Sequence, residues 1–323
     1  MVICPTMTHP PQPILKSDPL DHLGPSREPS PVVAVRRIRP MAGGSQSQLC
    51  EGNDGHAYVV KSFRNPQGRR TLVNEWIANG LFKFCGVCVA PGVPVTLNTE
   101  VAAELLADRQ ACRYWEPGSE SEPHYGSRLA VHPEGQAIYD FLPATMLSSV
   151  VNLNDFLGAM VLDCWMGNVD ARQAVFFRGS TKRWVTQSGA HGKRLDMIAV
   201  MIDHGQCFQG ATWSLKNVPT AGFYRAGAVY QEVAGLDDFA PWISKVAAIS
   251  TGDVDALRWG LPGEWIDGDQ NALDCLLEDL FRRRSKLPAL LEEMQRLVPG
   301  AFPAWDYDGR SLVIPTSSKK RQG

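Results

Sequence analysis

Asp163, Asn168 and Asp170 fall in one short block, Asp-Cys-Trp-Met-Gly-Asn-Val-Asp-Ala-Arg-Gln, which ends at Gln173. Asp203 falls in a second, Ile-Asp-His-Gly, over residues 202–205. Apolar runs lead into both, Phe156 to Leu162 and Met197 to Ile202. A carboxylate in such a setting loses hydration, and an unpaired buried charge is expensive. A metal ion, a cationic partner or a shifted pKa relieves that cost. A lone acid at the end of an apolar run is most often a cap or turn residue. Two such blocks, each with glycine beside the acid, favour a magnesium and phosphate site.

Further candidates precede the acids in chain order. Gly43, Gly44, Ser45 and Gln46 form a Gly/Ser turn, Lys61 ends an apolar run from Ala57, and Glu75 lies in a stretch of helical spacing. Phosphoryl transfer needs little covalent chemistry from a protein. It needs cations against phosphates, a carboxylate to orient the acceptor hydroxyl, and carboxylates for magnesium, which takes one or two of them plus phosphate oxygens and water. This order supplies each part.

The elements that position these residues follow from pattern. Val32 to Val35 and Ala57 to Phe63 are rich in β-formers, and Asn53-Asp54-Gly55 is a hairpin turn signal. Leu72, Trp76, Ile77, Ala78, Leu81 and Phe82 trace one face of a helix over 69–85. Residues 87–97 read as a loop leading to a strand, Ala102 to Leu106 as a short apolar stretch, and 108–127 as a polar surface excursion. Ala137 to Pro143 reads as a linker. Asn154 or Asp155 is expected to cap a helix running through Trp165. Ala174 to Phe177, Trp184-Val185 and Asp196 to Ile202 read as strands, with a loop at 189–195, and helix returns after about 225, most clearly over 271–297. The plan is an α+β, bilobal one. It has a disordered Pro-rich arm (1–30), a strand-rich N-lobe (31–142), a helical C-lobe (143–315) and a disordered tail (316–323).

The 323 residues, 44% hydrophobic and 20% charged with a formal net charge of −2, are those of a globular protein. That balance gives no electrostatic reason for nucleic-acid or anionic-membrane binding. No apolar run reaches the roughly 18–20 residues that span a bilayer. Pro5, Pro10 and Pro11 interrupt what a signal peptide would need to be apolar, so a cytoplasmic location is expected. Cys85-Gly-Val-Cys88 has ligand-like spacing, but no second pair accompanies it, and both read as core cysteines.

The ordered set resembles the HipA-like kinases over roughly residues 35–300. Gly43 to Gln46, Asp54-Gly55 and Tyr58 to Lys61 look like that family's phosphate loop and lysine strand. Asn74-Glu75-Trp-Ile-Ala is similar to its glutamate helix. Trp165-Met-Gly-Asn168-Val-Asp170 is similar to a catalytic loop shared with phosphatidylinositol kinases, and Ile202 to Gly205 matches the metal-binding block. The resemblance implies a bilobal protein-kinase-like fold, with ATP and Mg2+ as cofactors. Lys61 would contact the α/β-phosphates and Glu75 would hold Lys61. Asp170 would orient the acceptor hydroxyl, Asp203 would bind magnesium, and the loop of Gly43, Gly44, Ser45 and Gln46 would offer N–H groups to phosphate. Ser45 and Ser47 become autophosphorylation candidates beside their plain reading as turn serines.

The family's metal-binding Asn, five residues after the catalytic Asp, is replaced by Val175. Gln173 or Asn168 would supply the missing oxygen, or one metal is held firmly, or activity is lost. Arg172 would bind the γ-phosphate or an anionic acceptor, or else form an ion pair with Asp163 or Asp170. His204 reads as a turn cap, with phosphate orientation as the other reading. His124 to Arg128 could approach a nucleotide base or be a simple loop, and Arg282 to Lys286 reads as a solvated face. The function implied is a serine/threonine kinase acting on an unknown protein acceptor. The alternatives are a pseudokinase module or a kinase-fold enzyme acting on a small molecule.

Overall fold

The computed structural model describes residues 32–181, 195–216 and 222–305. The arm at 1–30, the strand expected at 184–185, most of the loop at 189–195 and the tail at 316–323 lie outside the described residues.

Five strands close a barrel: β1 (Val32–Pro40), β2 (Gln48–Gly52), β3 (Ala57–Lys61), β4 (Gly92–Leu97) and β5 (His124–Arg128), in the order β1-β2-β3-β5-β4. All neighbours are antiparallel except β1 and β4. The expected β2–β3 hairpin forms, and Gly55 at φ +78° takes the left-handed turn position. Tyr58 Oη closes the turn by donating to Asp54 Oδ2 at 2.6 Å.

Residues 108–127 depart from the expected surface excursion. Their last part is β5, which is largely buried and pairs with both β3 and β4. His124 shows how polar side chains live there. Its Nδ1 accepts the Phe63 N–H at 2.9 Å, so Nε2 carries the proton and donates to the Ser119 carbonyl at 2.9 Å. Burial lowers its pKa to about 4, against the raising effect of that carbonyl. It is a satisfied, neutral core histidine packed on Trp115.

Helix α1 (Arg70–Phe84) is buried almost all round rather than on one face. Leu72, Ile77, Leu81 and Phe82 are fully buried, each worth about 1.5–3 kcal/mol of burial. Asn74, Glu75 and Asn79 are buried too, and each finds partners. Residues 102–106 belong to a second helix, α2 (Thr99–Ala107), capped by Asn98, which accepts the Val101 N–H at 2.8 Å.

Tyr139 exchanges backbone hydrogen bonds with Phe176, so the 137–143 segment docks on the following sheet. After the short α3 (Ala144–Leu147), helix α4 (Asp155–Met166) runs to Gly167, whose φ of +63° ends it. Neither Asn154 nor Asp155 caps it: Asp155 instead accepts the Cys88 N–H at 2.9 Å and the Asn152 amide at 2.8 Å. Strands β6 (Gln173–Ser180) and β7 (Leu195–Ile202) pair antiparallel, and their register sets Gln173 against Ile202. Helices at Gln270–Arg283 and Leu287–Leu297 bury all their leucines except the exposed Leu297, against α4 in the largest core. Of the basic run, Arg282 and Lys286 keep to a solvated face. Arg283 is buried and donates to the Cys164 and Leu215 carbonyls, and Arg284 lies over Phe281.

Cys85 and Cys88 are buried free thiols, and burial pushes Cys85 up to about 11. Among the described residues no helix is long and apolar enough to cross a membrane.

Candidate active site

Lys61, Glu75 and Asp203 come from three different elements and meet at one point. Lys61 Nζ donates to Asp203 Oδ1 at 2.8 Å and to Glu75 Oε1. Glu75 Oε2 accepts the His204 N–H at 3.0 Å, which fixes the second acidic block to α1. Burial works against the Lys61 ammonium, but Glu75 and Asp203 outweigh it and raise its pKa. Burial raises the Glu75 carboxyl despite Lys61. Of the two the ammonium keeps its charge more securely, because it faces two carboxylates and Glu75 faces one cation. Burial opposes the Asp203 carboxylate as well, yet Lys61 holds it below the usual carboxylate range.

The chain reaches this geometry through a local turn. Asp203 sits at φ +58°, a conformation that Asp tolerates better than most residues. The loop beyond it is tied down by Asn74, whose amide donates to the Gly205, Cys207 and Gly210 carbonyls at 2.8–3.0 Å. Gly205 permits close packing: a Cβ there would lie 3.3 Å from Glu75 Oε1. Asn74 is a positioning residue that the sequence reading missed. Its one signal was a polar residue next to Glu75 on an otherwise apolar helix.

The first acidic block is ordered by buried groups. Asn168 is fully buried, with its Nδ2 donating to Asp163 Oδ1 at 2.9 Å and its Oδ1 accepting the Asp170 N–H at 3.1 Å. It therefore shapes the loop and does not face a nucleotide. Arg172 is buried as well. Its Nε lies 3.3 Å from Asp163 Oδ2, Nη1 donates to His204 Nδ1 at 2.9 Å, and Nη2 donates to the Asp203 carbonyl at 2.7 Å. The ion pair with Asp163 is thus the reading realised, and a guanidinium so engaged is not available to clamp a phosphate. Burial pushes Asp163 up to about 6, against Arg172 and Asn168.

His204 is fixed by the same contacts. A guanidinium only donates, so Nδ1 accepts and Nε2 carries the proton. Burial and then Arg172 lower its pKa well below the ordinary value, and the ring lies 4.5 Å from Phe82. It is a neutral linker between the blocks, neither a turn cap nor a phosphate ligand.

A cavity of about 580 Å3 brings most of the remaining candidates together. Gly43, Gly44 and Ser45 line it together with Lys61, Asp170, Gln173 and Asp203. Leu49, Val59, Ala90, Ile138 and Val200 form an apolar end. Such a volume and mixture suit a small-molecule site. Ser45 and Ser47 share a hydroxyl contact of 2.7 Å at its edge. Gln46 stands outside the lining, its amide turned back onto the Gly43 carbonyl at 2.9 Å. His124 to Tyr125 contribute no lining, whereas Ser127 to Ala130 do.

Gln173 joins the two acids. Its Nε2 lies 3.1 Å from Asp203 Oδ2 and 3.4 Å from Asp170 Oδ2. Val175 lines the cavity two residues on and offers no ligand atom. Among the described residues no group of three or more His, Cys, Asp or Glu side chains could hold a metal by itself. The donor set fits magnesium in the form that leaves most positions to phosphate and water. Asp203, with Asp170 or the Gln173 amide oxygen beside it, meets that requirement.

Residues 32–132 match the family described as HipA-like kinase. The HipA-like match includes the Gly/Ser loop, Lys61 and Glu75, and it ends before both acidic blocks. A solved structure of the Golgi casein kinase with Mn/ADP bound is 13% identical with a TM-score of 0.43, over 83% of this chain and 74% of that one. The structure of hydra Fam20 with sugar is 12% identical with a TM-score of 0.35, over 84% and 86%. No curated protein matches the chain.

Proposed function

We propose that the protein is an ATP- and magnesium-dependent phosphotransferase of HipA-like type that phosphorylates serine or threonine of a protein. One observation carries this reading. Lys61, held between Glu75 and Asp203, faces the cavity that also presents the Gly/Ser loop and the exposed Asp170. The two-lobed plan, with the described residues of 31–142 and of 143–315 on either side of the nucleotide, is part of the same reading.

Lys61 binds the α/β-phosphates as a fixed cation, and the loop N–H groups of Gly43 to Ser45 hold the phosphate tail. Asp203, assisted by Gln173, would hold magnesium, which when bound neutralises charge on the phosphates. Asp170 is exposed and its Oδ2 has only the weak Gln173 contact, so it is free to accept the acceptor's proton. The acceptor oxygen bonds to the γ-phosphorus while the bond from that phosphorus to the β–γ bridging oxygen breaks. ADP leaves with that electron pair and the hydroxyl proton passes to Asp170. Ser45 or Ser47, at the cavity edge, is the acceptor for autophosphorylation.

Val175 favours a second reading, a pseudokinase that binds nucleotide without turnover. Thermal shift with ATP, alone and with magnesium, tests the binding step. A magnesium-dependent rise in Tm that Lys61→Met abolishes supports the site. Binding without phosphate reaching any protein acceptor selects the pseudokinase.

A further inference from the structure

A second cavity of about 520 Å3 adjoins the first and shares Asp140, Asp170, Gln173, Val175 and Ile202 with it. Asp170 therefore stands in a wall between two spaces. The carboxylates of the second space, Asp140 and Asp170, line both spaces, while its cations, Arg172 and Arg225, line the second alone. Arg172 is buried and engaged. Arg225 is exposed and has no ion-pair partner among the described residues.

The placement of Arg225 is set by its neighbours. Tyr224 is buried, its ring 4.5 Å from Phe156 and its N–H donating to Tyr230 Oη at 3.1 Å. Two residues earlier, Gly222 runs so close to Asp163 that a Cβ would lie 1.9 Å from the aspartate's own Cβ. The Arg225 backbone is thus locked to the residues that hold the Asp170 loop. Phe141, which also lines this space, is 66% exposed and adds an apolar surface to a charged one.

We propose that this second cavity is the acceptor groove, and that Arg225 selects a peptide segment carrying an acidic residue close to the phosphorylated hydroxyl. The hydroxyl meets Asp170 at the wall, the acidic side chain meets Arg225, and Phe141 covers the peptide between them. The assignment rests on the phosphotransferase reading and adds the chemistry of its acceptor.

Oriented serine/threonine peptide libraries with labelled ATP and magnesium test it, using the whole protein, Arg225→Ala and Arg225→Glu. Nucleotide affinity is measured on the same samples and should be equal in all three. The wild-type protein should select Asp or Glu at one flanking position. Loss of a charge-assisted contact should reduce that selection about tenfold in Arg225→Ala, and Arg225→Glu should turn it toward Lys or Arg. Wild-type transfer without acidic selection, selection unchanged in the variants, or transfer only to small-molecule hydroxyls would overturn the groove assignment alone. ATP binding with no peptide labelled also counts against it. No ATP binding at all would overturn the phosphotransferase reading beneath it.

Discussion

Lys61 and Arg172 are both buried cations, and they act differently. Lys61 faces a cavity with two carboxylates around it, whereas Arg172 is engaged by Asp163, His204 and the Asp203 carbonyl. Removing one member of a buried charged set strands the others, at a cost of about 3–5 kcal/mol. Arg172→Met should therefore lower unfolding free energy by about 3 kcal/mol, and Asp163→Asn in the same chain should recover part of it. Denaturant melts of the four-member cycle check this, and additive effects would contradict the pairing. Lys61→Met should also destabilise, but Lys61→Met/Glu75→Leu, while recovering stability, should still bind no nucleotide. Lys61, Glu75 and Asp203, which the sequence singled out by residue type and order, meet at one point, and Asp170 lines the same cavity. The role of Arg172 was not legible in the sequence, because it depends on a histidine 32 positions away that packing brings to its Nη1.

At the scale of elements, the helix α1 and the strands β6 and β7 were legible from apolar runs, but the pairing of β6 with β7 was not. Nor was strand β5: its His124, Tyr125 and Arg128 are polar-tipped residues in a stretch that reads as turns, and only barrel closure buries them. That burial makes stability depend on pH. The folded pKa of His124 lies near 4, below its unfolded value of 6.5, so the unfolded chain binds more protons between these limits. The stabilisation is complete above pH 6.5 and is lost as pH falls toward 4, by about 3 kcal/mol. Asp163, raised to about 6, works in the opposite direction over part of this range. The comparison is therefore with His124→Asn, which keeps an acceptor for the Phe63 N–H. Wild type should lose more stability than the variant over that window, and parallel curves would refute the assignment. In α4, Gly158 leaves room for Trp242, whose Nε1 would lie 2.3 Å from an added Cβ. Gly158→Ala should cost about 1–3 kcal/mol by overpacking, readable as a lower Tm.

For the molecule as a whole, the barrel with α1 carries the loop, the lysine and the glutamate, and the part beyond 137 carries both acids. The site is complete only where α1 packs on the loop after Asp203, through Asn74 and through the Glu75 bond to the His204 N–H. The family match covers the first group of residues alone. Whether Asp170 and Asp203 perform the roles assigned to them is therefore the central claim. Single-turnover transfer of the γ-phosphate from labelled ATP to a protein acceptor, with magnesium, tests it most directly. Wild-type protein should transfer label, Asp170→Asn should retain nucleotide affinity and lose at least about 100-fold in rate, and Asp203→Asn should lose magnesium-dependent transfer altogether. Transfer at the wild-type rate in both variants would contradict the account.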